Sequence, residues 1–360
     1  MKFILPCLLV FKLAAAPVLR LVEDTLPAAA AHSLVQHQLD LEAEGWTVTT
    51  VFVPSQERKA PFTNHINIAQ DTVWPFVRAN PGGAVILIGN VPMPASGINY
   101  SVTEMPIDWG ALPAPCYYAL PDVEWTDTQN NTNWNPGGKP LPAIRLNNPG
   151  DGRFDNQSLG AALPLASVGV INFSFANPTR WGSAKDAIRF HIQCYNDYFT
   201  RLHDYRSGKW TIKTKGAFGH WRNGGAGAEF EPWAIANLGG VSAFRPTNSS
   251  AFPEYASFLF VQDFKLLPYT EAFWSTVNPR WAFFDTSFGS GQATMDAQRV
   301  HNAFNRSLLS ATWARRWDLT PLLSGQTIGD CWKAGLVRGR DTTFGLNGDP
   351  TLRLNINDRN

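Results

Sequence analysis

The sequence predicts an α/β fold with a mostly parallel sheet that is flanked by helices. Strand-like and helix-forming segments alternate along the N-terminal part of the chain, as strand 18–22, helix 28–44, strand 46–53 and helix 64–74. The next strand, Ala84–Ile88, is an uninterrupted apolar run between two glycines, a pattern typical of a parallel strand that is buried on both faces. This alternation indicates a doubly wound layer with Ala84–Ile88 at its centre.

Composition limits the classes of function. The chain has 360 residues, of which 44% are hydrophobic and 16% are charged, so a large core can be buried. The 30 basic and 29 acidic residues give a net charge of +1, which argues against a nucleic-acid binder. Beyond the N-terminus no apolar run is long enough for a membrane helix, so we expect no membrane span in the mature chain.

Residues 1–16 have the pattern of a secretory signal peptide. Lys2 precedes an apolar run over residues 3–11, and alanines at 14–16 offer cleavage sites. We therefore expect cleavage near Ala16 and a secreted, periplasmic or extracellular location. Lys12 interrupts the apolar run, and a buried first strand is the alternative interpretation.

The cysteines do not form a stapling framework. Cleavage would remove Cys7 and leave Cys116, Cys194 and Cys331, an odd number that allows at most one disulfide. Cys194 and Cys331 fall within predicted helices, where a buried structural thiol is expected.

The chain divides into two α/β halves. The N-terminal half covers residues 17–206, with a loop-rich insert at about 95–160, a strand at 165–175 and an amphipathic helix at 183–205. The C-terminal half covers residues 207–360. Its predicted elements are, in order, strand 210–218, helix 229–238, strand 280–288, helix 302–311 and helix 327–337.

The end of the chain carries the most specific motif. Thr-Ile-Gly-Asp-Cys-Trp (327–332) begins a helix, and Leu-Asn-Gly-Asp-Pro-Thr-Leu-Arg-Leu follows at 346–354. This tail resembles the end of gingipain-type cysteine peptidase domains, which belong to the caspase-like fold. The resemblance covers roughly residues 18–355 in order of elements and implies two α/β subdomains side by side. The motif itself is interpreted as structural, because Gly348 permits an unusual φ, Pro350 fixes a turn, and Leu352 and Leu354 alternate inward on a last strand.

The resemblance also implies a Cys–His dyad at the ends of two strands of the C-terminal half. His220 follows Gly219 at the end of a predicted strand and fits the base, but Phe288 stands where the cysteine nucleophile is expected. One hypothesis is a non-catalytic module that binds peptide, protein or glycan in the inherited cleft. The alternative is a secreted endopeptidase in which His220 activates Ser287 or Ser290, with the glycines at 289 and 291 offering oxyanion donors.

The insert concentrates oxygen-bearing side chains. Asp122, Asp127, Asp151 and Asp155 lie in polar, Asn-rich surroundings, and carboxylate and amide oxygens are the ligands that Ca²⁺ prefers. A structural Ca²⁺ would explain how a long insert stays ordered. The alternative is a set of Asx-turns and helix caps, and the sequence leaves both open.

The remaining histidines and tryptophans have structural explanations. His32 and His37 lie on a predicted helix, and His191 lies near the apolar stripe of the long helix. No spacing typical of a transition-metal site occurs. Core packing is the expected role of the tryptophans of the C-terminal half, with a ligand groove as the alternative; they are Trp221, Trp233, Trp274 and Trp281.

Overall fold

The computed structural model describes the core of the chain. The described residues are 16–57, 59, 61–97, 112–130, 147–156, 158–173, 184–211, 216–220, 241–244, 258–262, 281–286, 307–312, 318–340, 342 and 345–354. The signal-like segment up to residue 15 and the predicted helix 229–238 lie outside them.

Ten strands form one sheet, and all neighbouring strands are parallel except one pair. The strands are β1 (Pro17–Glu23), β2 (Thr47–Val53), β3 (Ala84–Ile88), β6 (Ser167–Ile171), β7 (Gly216–His220), β8 (Val241–Phe244), β9 (Phe258–Gln262), β10 (Trp281–Thr286), β11 (Ser307–Thr312) and β12 (Leu346–Gly348). Their order is β2-β1-β3-β6-β12-β11-β10-β9-β7-β8, and only β11 and β12 are antiparallel. A separate small pair joins β4 (Ala95–Ser96) to β5 (Leu112–Pro113). The predicted α/β class, with a mostly parallel sheet, is confirmed.

The strand Ala84–Ile88 is buried as its sequence predicts. All five residues of β3 are buried, and β1 and β6 pair with it on its two sides. Because neither edge of β3 nor either face meets solvent, the strand has no position that needs a polar residue.

The two strand series meet edge to edge. The last strand, β12, pairs with β6 of the N-terminal half on one side and with β11 on the other. Because β11 and β12 are antiparallel, the strands β7–β11 run opposite to β1, β2, β3 and β6. The carboxyl ends of the two series therefore lie at opposite ends of the sheet, measured along the direction of the strands.

The helices flank this sheet. They are α1 (Pro27–Ala43), α2 (Asn64–Ile68), α3 (Trp74–Ala79), α4 (Ala184–Arg206) and α5 (Ile328–Gly339), with single 3₁₀ turns at Pro115–Ala119 and Thr320–Ser324. None of the helices within the described ranges is long and apolar enough to cross a membrane.

One predicted helix boundary is wrong. The helix predicted at 64–74 begins at Asn64 as predicted, but it continues past Pro75 because a π-helical turn, Ala69–Val73, connects α2 to α3. Pro75 lies in the first turn of α3, where the missing N–H is least costly. The carboxylate of Glu57 accepts hydrogen bonds from the backbone N–H groups of Thr63 and Asn64 and so caps the start of this helix.

The predicted helix at 302–311 is also wrong in part, because Ser307–Thr312 forms β11. Leu308 and Leu309 are both buried, and the strand is held between β10 and β12. Helix propensity is a weak preference that two flanking strands override. The strands β8 and β9 were not predicted from the sequence.

The tail motif requires close contacts between backbone segments around β12, the strand that joins the two halves. Gly348 has φ +130°, and a Cβ there would lie 2.6 Å from the carbonyl oxygen of Leu308. A Cβ on Gly329 would lie 2.6 Å from the carbonyl oxygen of Pro350. Leu352 and Leu354 are buried and Arg353 is exposed, as predicted, although these residues form no strand. The glycines are therefore needed for packing.

A buried carboxylate follows β12 directly. Asp349 is fully buried, with Oδ2 2.7 Å from His37 Nε2 on α1 and 2.9 Å from Arg206 Nη2 on α4. Its Oδ1 accepts hydrogen bonds from the backbone N–H and the hydroxyl of Thr351 at 2.8 and 2.6 Å. Arg206 also donates to Thr351 and pairs with Glu44. This Asp349 cluster connects the chain end to both helices.

Burial opposes the charge of Asp349, yet Arg206 and the hydrogen bond from His37 outweigh it. They hold the pKa of the Asp349 carboxyl well below its ordinary value. Burial lowers the pKa of His37, so its neutral ring donates Nε2–H to the carboxylate. The cluster is thus a buried ion pair between Asp349 and Arg206 in which both carboxylate oxygens accept hydrogen bonds.

Replacement of Asp349 by alanine should lower the free energy of unfolding by about 3–5 kcal/mol, because Arg206 would stay buried without its main partner. Urea unfolding followed by far-UV circular dichroism measures the change. The control is Asp122→Ala, which removes an exposed ion pair with Arg78 and should cost at most about 1 kcal/mol. Equal effects of the two substitutions would contradict the structural role of Asp349.

Candidate functional site

His220 ends β7 at the carboxyl edge of the C-terminal half. β7 pairs with β8 on one side and with β9 on the other, so the next two strands of the chain lie on opposite sides of β7. In the register, His220 lies level with Gln262, the last residue of β9. Ligands of open α/β sheets bind outside the carboxyl ends of strands at such a topological switch point. We call the carboxyl ends of β7, β9 and β10 the His220 edge.

Sequence reasoning missed Gln262. The segment Phe258–Gln262 is a short apolar run that ends in a polar residue, and this is the signal that could have found it. Gln262 is placed at the switch point beside His220 because β7 and β9 are direct neighbours. A side-chain amide offers both a donor and an acceptor at this position.

The predicted nucleophile loop follows β10 but lies outside the described residues. β10 ends at Thr286, and Ser287, Phe288 and Ser290 come directly after it. β9 lies between β7 and β10, so about 10 Å, or two strand spacings, separates the main chains at this level.

Trp281 begins β10, at the end of the strand away from the His220 edge. The other tryptophans considered for a groove, Trp221, Trp233 and Trp274, lie outside the described residues. Trp281 and the His220 edge therefore lie at opposite ends of β10.

The cysteines of the described residues are buried in the core and none is in a disulfide. Burial raises the pKa of the Cys194 thiol to about 12, and burial raises the pKa of Cys331 as well. Cys116 donates its S–H to the carbonyl oxygen of Thr342 at 3.0 Å. Because the thiolate is the reactive form, Cys194 and Cys331 are structural thiols, as predicted.

The equivalent switch point of the N-terminal half, between β1 and β3, is occupied by the side chain of Glu23. Glu23 ends β1, and its carboxylate accepts hydrogen bonds from the backbone N–H of Asn90 at 2.7 Å and from the hydroxyls of Thr25 and Ser55. A Cβ on Gly89 would lie 2.6 Å from Glu23 Cβ, so backbone and side chain are in close contact there. This point is closed by internal hydrogen bonds.

Three of the four predicted calcium ligands come together in the insert. Asp127 accepts hydrogen bonds from the backbone N–H groups of Gly150 and Gly152 at 3.0 and 2.7 Å. Asp155 accepts from the backbone N–H groups of Thr128 and Gln129 at 2.8 and 3.1 Å. Asp151 accepts from the backbone N–H of Asn148 and of Arg153. Asp122 instead forms its exposed ion pair with Arg78.

These bonds have the pattern of the Asx-turn alternative, in which carboxylates hold loop backbone. Burial raises the pKa of Asp127 above its ordinary value, against the bonds from Gly152 and Gly150, and the charges of Asp151 and Asp155 add to the rise. Within the described ranges, no three or more His, Cys, Asp or Glu side chains are positioned to hold a metal ion. The contacts favour the Asx-turn alternative but do not test calcium binding by the insert, which stays the other expectation from the sequence.

An aromatic cluster within the insert packs against α2, and sequence reasoning did not find it. Tyr117 stacks on Phe154 with ring centroids 4.8 Å apart and contacts Trp125 at 5.0 Å. His65 of α2 is 1% exposed and meets Tyr117 and Phe154 edge to face at 5.8 and 5.7 Å. Burial lowers the pKa of His65 to about 4, against the charge of Glu57.

Comparisons with known proteins add no relative at this point. No family model matches the chain, and no curated protein matches it. The assignment of a function therefore depends on the edge geometry and on the residues described above.

Substitution of Asp155 by alanine should lower the free energy of unfolding by about 2–4 kcal/mol, because four loop donors lose their acceptor. We expect the loss in melting temperature to be the same with calcium and with a chelator, since the carboxylate already accepts these protein donors. Thermal unfolding of wild type, Asp155→Ala and the control Asp122→Ala in both conditions measures it. A calcium-dependent stabilisation that Asp155→Ala abolishes would instead establish the ion site.

His65 should make stability fall with acidification. The unfolded chain protonates this histidine below its ordinary pKa of 6.5, whereas the folded protein resists protonation down to about pH 4. The contribution of His65 to the free energy of unfolding is complete above pH 6.5 and declines by roughly 3 kcal/mol as the pH falls to 4.

The His65→Phe variant tests this pH dependence, because phenylalanine cannot be protonated and keeps the edge-to-face contacts. Urea unfolding at a series of pH values should show a flatter profile between pH 6.5 and 4, with a residual slope from buried His37. The control His32→Phe changes an exposed histidine of α1 and should retain the wild-type profile. An unchanged slope in His65→Phe would contradict the prediction.

Proposed function

We propose that this chain is an exported, gingipain-like module of the caspase-like fold that binds a peptide or protein ligand at the His220 edge without cleaving it. Residues 1–16 would serve as the signal peptide. The observation that carries the proposal is the topological switch point between β7 and β9, where His220 and Gln262 end neighbouring parallel strands. Such a point leaves a crevice between the loops that depart in opposite directions.

The order of the strands is consistent with the proposed relationship. Both halves are parallel series in which a later strand is added beside the first one, β2-β1-β3 in one half and β8-β7-β9 in the other. The tail motif ends the seam between the halves, as expected for the last segment of a two-subdomain α/β protein. These features support the relationship through the fold alone.

A non-catalytic role is supported by the side chains near the edge. Phe288 stands where the resemblance implies a cysteine nucleophile, and phenylalanine cannot attack a carbonyl. Cys194 and Cys331 are buried with raised pKa values, so neither supplies the missing thiolate. A polar pair such as His220 and Gln262 suits hydrogen bonding to peptide groups; a glycan is the second ligand class that this polar edge would accept.

The second candidate is an active secreted endopeptidase that uses His220 with Ser287 or Ser290. One observation favours it: β7 and β10 are parallel, so His220 and the segment after Thr286 leave the sheet at the same edge. The intervening strand β9 disfavours it, because the histidine and the serine then start about 10 Å apart. We therefore rank binding above cleavage.

A mixed peptide library distinguishes the two functions. The purified protein is incubated with the library, and both cleavage products and co-purifying peptides are identified by mass spectrometry. We expect retained peptides and no new termini. His220→Ala and Gln262→Ala should each reduce retention by about tenfold, the effect of one lost hydrogen bond to a desolvated ligand.

The control His32→Ala lies in the N-terminal half and should retain the same peptides as wild type. Cleavage that disappears in His220→Ala would establish the peptidase and overturn the binding proposal. Equal retention by wild type and by the two edge variants would show that the His220 edge is not the binding site.

A further inference from the structure

The start of α2 is attached to the insert by a small interface around Phe62 and His65. The backbone N–H of Phe62 donates to the carbonyl oxygen of Asp151 at 2.8 Å, and the guanidinium of Arg153 lies 4.5 Å from the centre of the Phe62 ring. A Cβ on Gly152 would overlap the carbonyl oxygen of Phe62, so the two backbones are in close contact. We call the contacts of Phe62 and His65 with the insert the α2–insert interface.

His65 lies within the α2–insert interface and is almost completely enclosed. Its side chain is 1% exposed, and its ring meets those of Tyr117 and Phe154 at centroid distances of 5.8 and 5.7 Å. Neither ring nitrogen has a hydrogen-bond partner of ordinary geometry within the part of the chain that the structure describes. An imidazolium has two N–H donors, and burial of a charge with unpaired donors is costly. The closed interface therefore favours the neutral ring.

The charged and titratable groups around this ring do not offset the cost. Burial lowers the pKa of this histidine to about 4, although the charge of Glu57 and the backbone of Gly152 favour the protonated ring. On the insert, the guanidinium of Arg153 pairs with Asp151 at 3.3 Å. Burial raises the pKa of Tyr117, so this side chain stays uncharged in acid. α2 itself carries no other charged residue.

We propose that protonation of His65 in acid detaches the insert from α2 while the ten-stranded sheet stays folded. In an opened interface the ring reaches water and takes up a proton, whereas the closed interface disfavours the charge. Acid therefore shifts the equilibrium toward the open form. Opening would expose the rings of Tyr117 and Phe154, which His65 contacts in the closed form.

The layer of α1 and the sheet contains a buried histidine in a different setting. His37 Nε2 lies 2.7 Å from a carboxylate oxygen of Asp349, so a charged His37 ring would have a direct ion-pair partner. Asp349 itself stays ionised in acid: although it is buried, Arg206 and His37 hold the pKa of its carboxyl well below the ordinary value. We therefore expect acid to open the α2–insert interface before it releases α1 or the chain end.

Hydrogen exchange measured by mass spectrometry at about pH 7 and about pH 4.5 tests the proposal. Each peptide is expressed as a protection factor, which removes the intrinsic pH dependence of amide exchange. In the wild type, peptides from 61–69, 112–130 and 147–156 should lose protection by roughly 50- to 100-fold in acid, as a shift in pKa from 6.5 to about 4 requires. Peptides from α1 and β3 should keep their protection.

His65→Phe should keep the protection of these insert peptides in acid, because phenylalanine retains an aromatic ring and cannot be protonated. The matched control His32→Phe removes an exposed histidine of α1 and should lose protection as the wild type does. Exchange of β3 at about pH 7 shows whether each variant is folded. His65→Leu, a smaller uncharged replacement, carries the same expectation if phenylalanine is not accommodated.

Three results would overturn the proposal. An equal loss of protection in His65→Phe and His65→Leu would assign the opening to groups other than His65. A loss in α1 and β3 at the same pH would show that the unfolding is global. A wild type that keeps full protection of the insert peptides in acid would show that protonation does not detach them.

Discussion

The structure depends on a single buried carboxylate placed directly after its last strand. Asp349 accepts hydrogen bonds from side chains of α1 and α4 and from its own turn, so three distant parts of the chain meet at its two oxygens. An ion without these partners would cost several kcal/mol in such a site. The N-terminal layer is therefore complete only when the end of the chain has been added.

The position of β12 explains why this constraint is severe. β12 is the strand that joins the two parallel series, and residues 346–348 connect β6 to β11. The same strand reverses the direction of the sheet, so the switch points of the two halves face opposite edges. Glu23 closes the N-terminal one with internal hydrogen bonds. We therefore place the proposed ligand site at the His220 edge.

Features that a local sequence pattern determines were predicted correctly. Features that depend on residues distant in sequence were missed. The strand Ala84–Ile88 was found because its burial on both faces leaves an apolar run without interruption. Residues 307–312 were misassigned because their strand state comes from β10 and β12 and not from propensity. The role of His37 could not be found, since its partner Asp349 is 312 positions away in sequence. The insert carboxylates look alike in sequence whether they hold backbone N–H groups or an ion.

The tail motif, which carries the family resemblance, is explained entirely by packing and charge. Gly348 is needed where the backbone meets Leu308, Asp349 pairs with Arg206 and His37, and Thr351 donates to Asp349. Every polar atom of the motif that these bonds engage is directed into the protein, so none is available to a substrate. A similarity in this motif is therefore evidence about how the two halves join. Evidence about chemistry has to come from the His220 edge, where the strands that carry His220 and Thr286 are not neighbours. In the sequence that follows Thr286, Phe288 stands at the position that the resemblance assigns to the nucleophile.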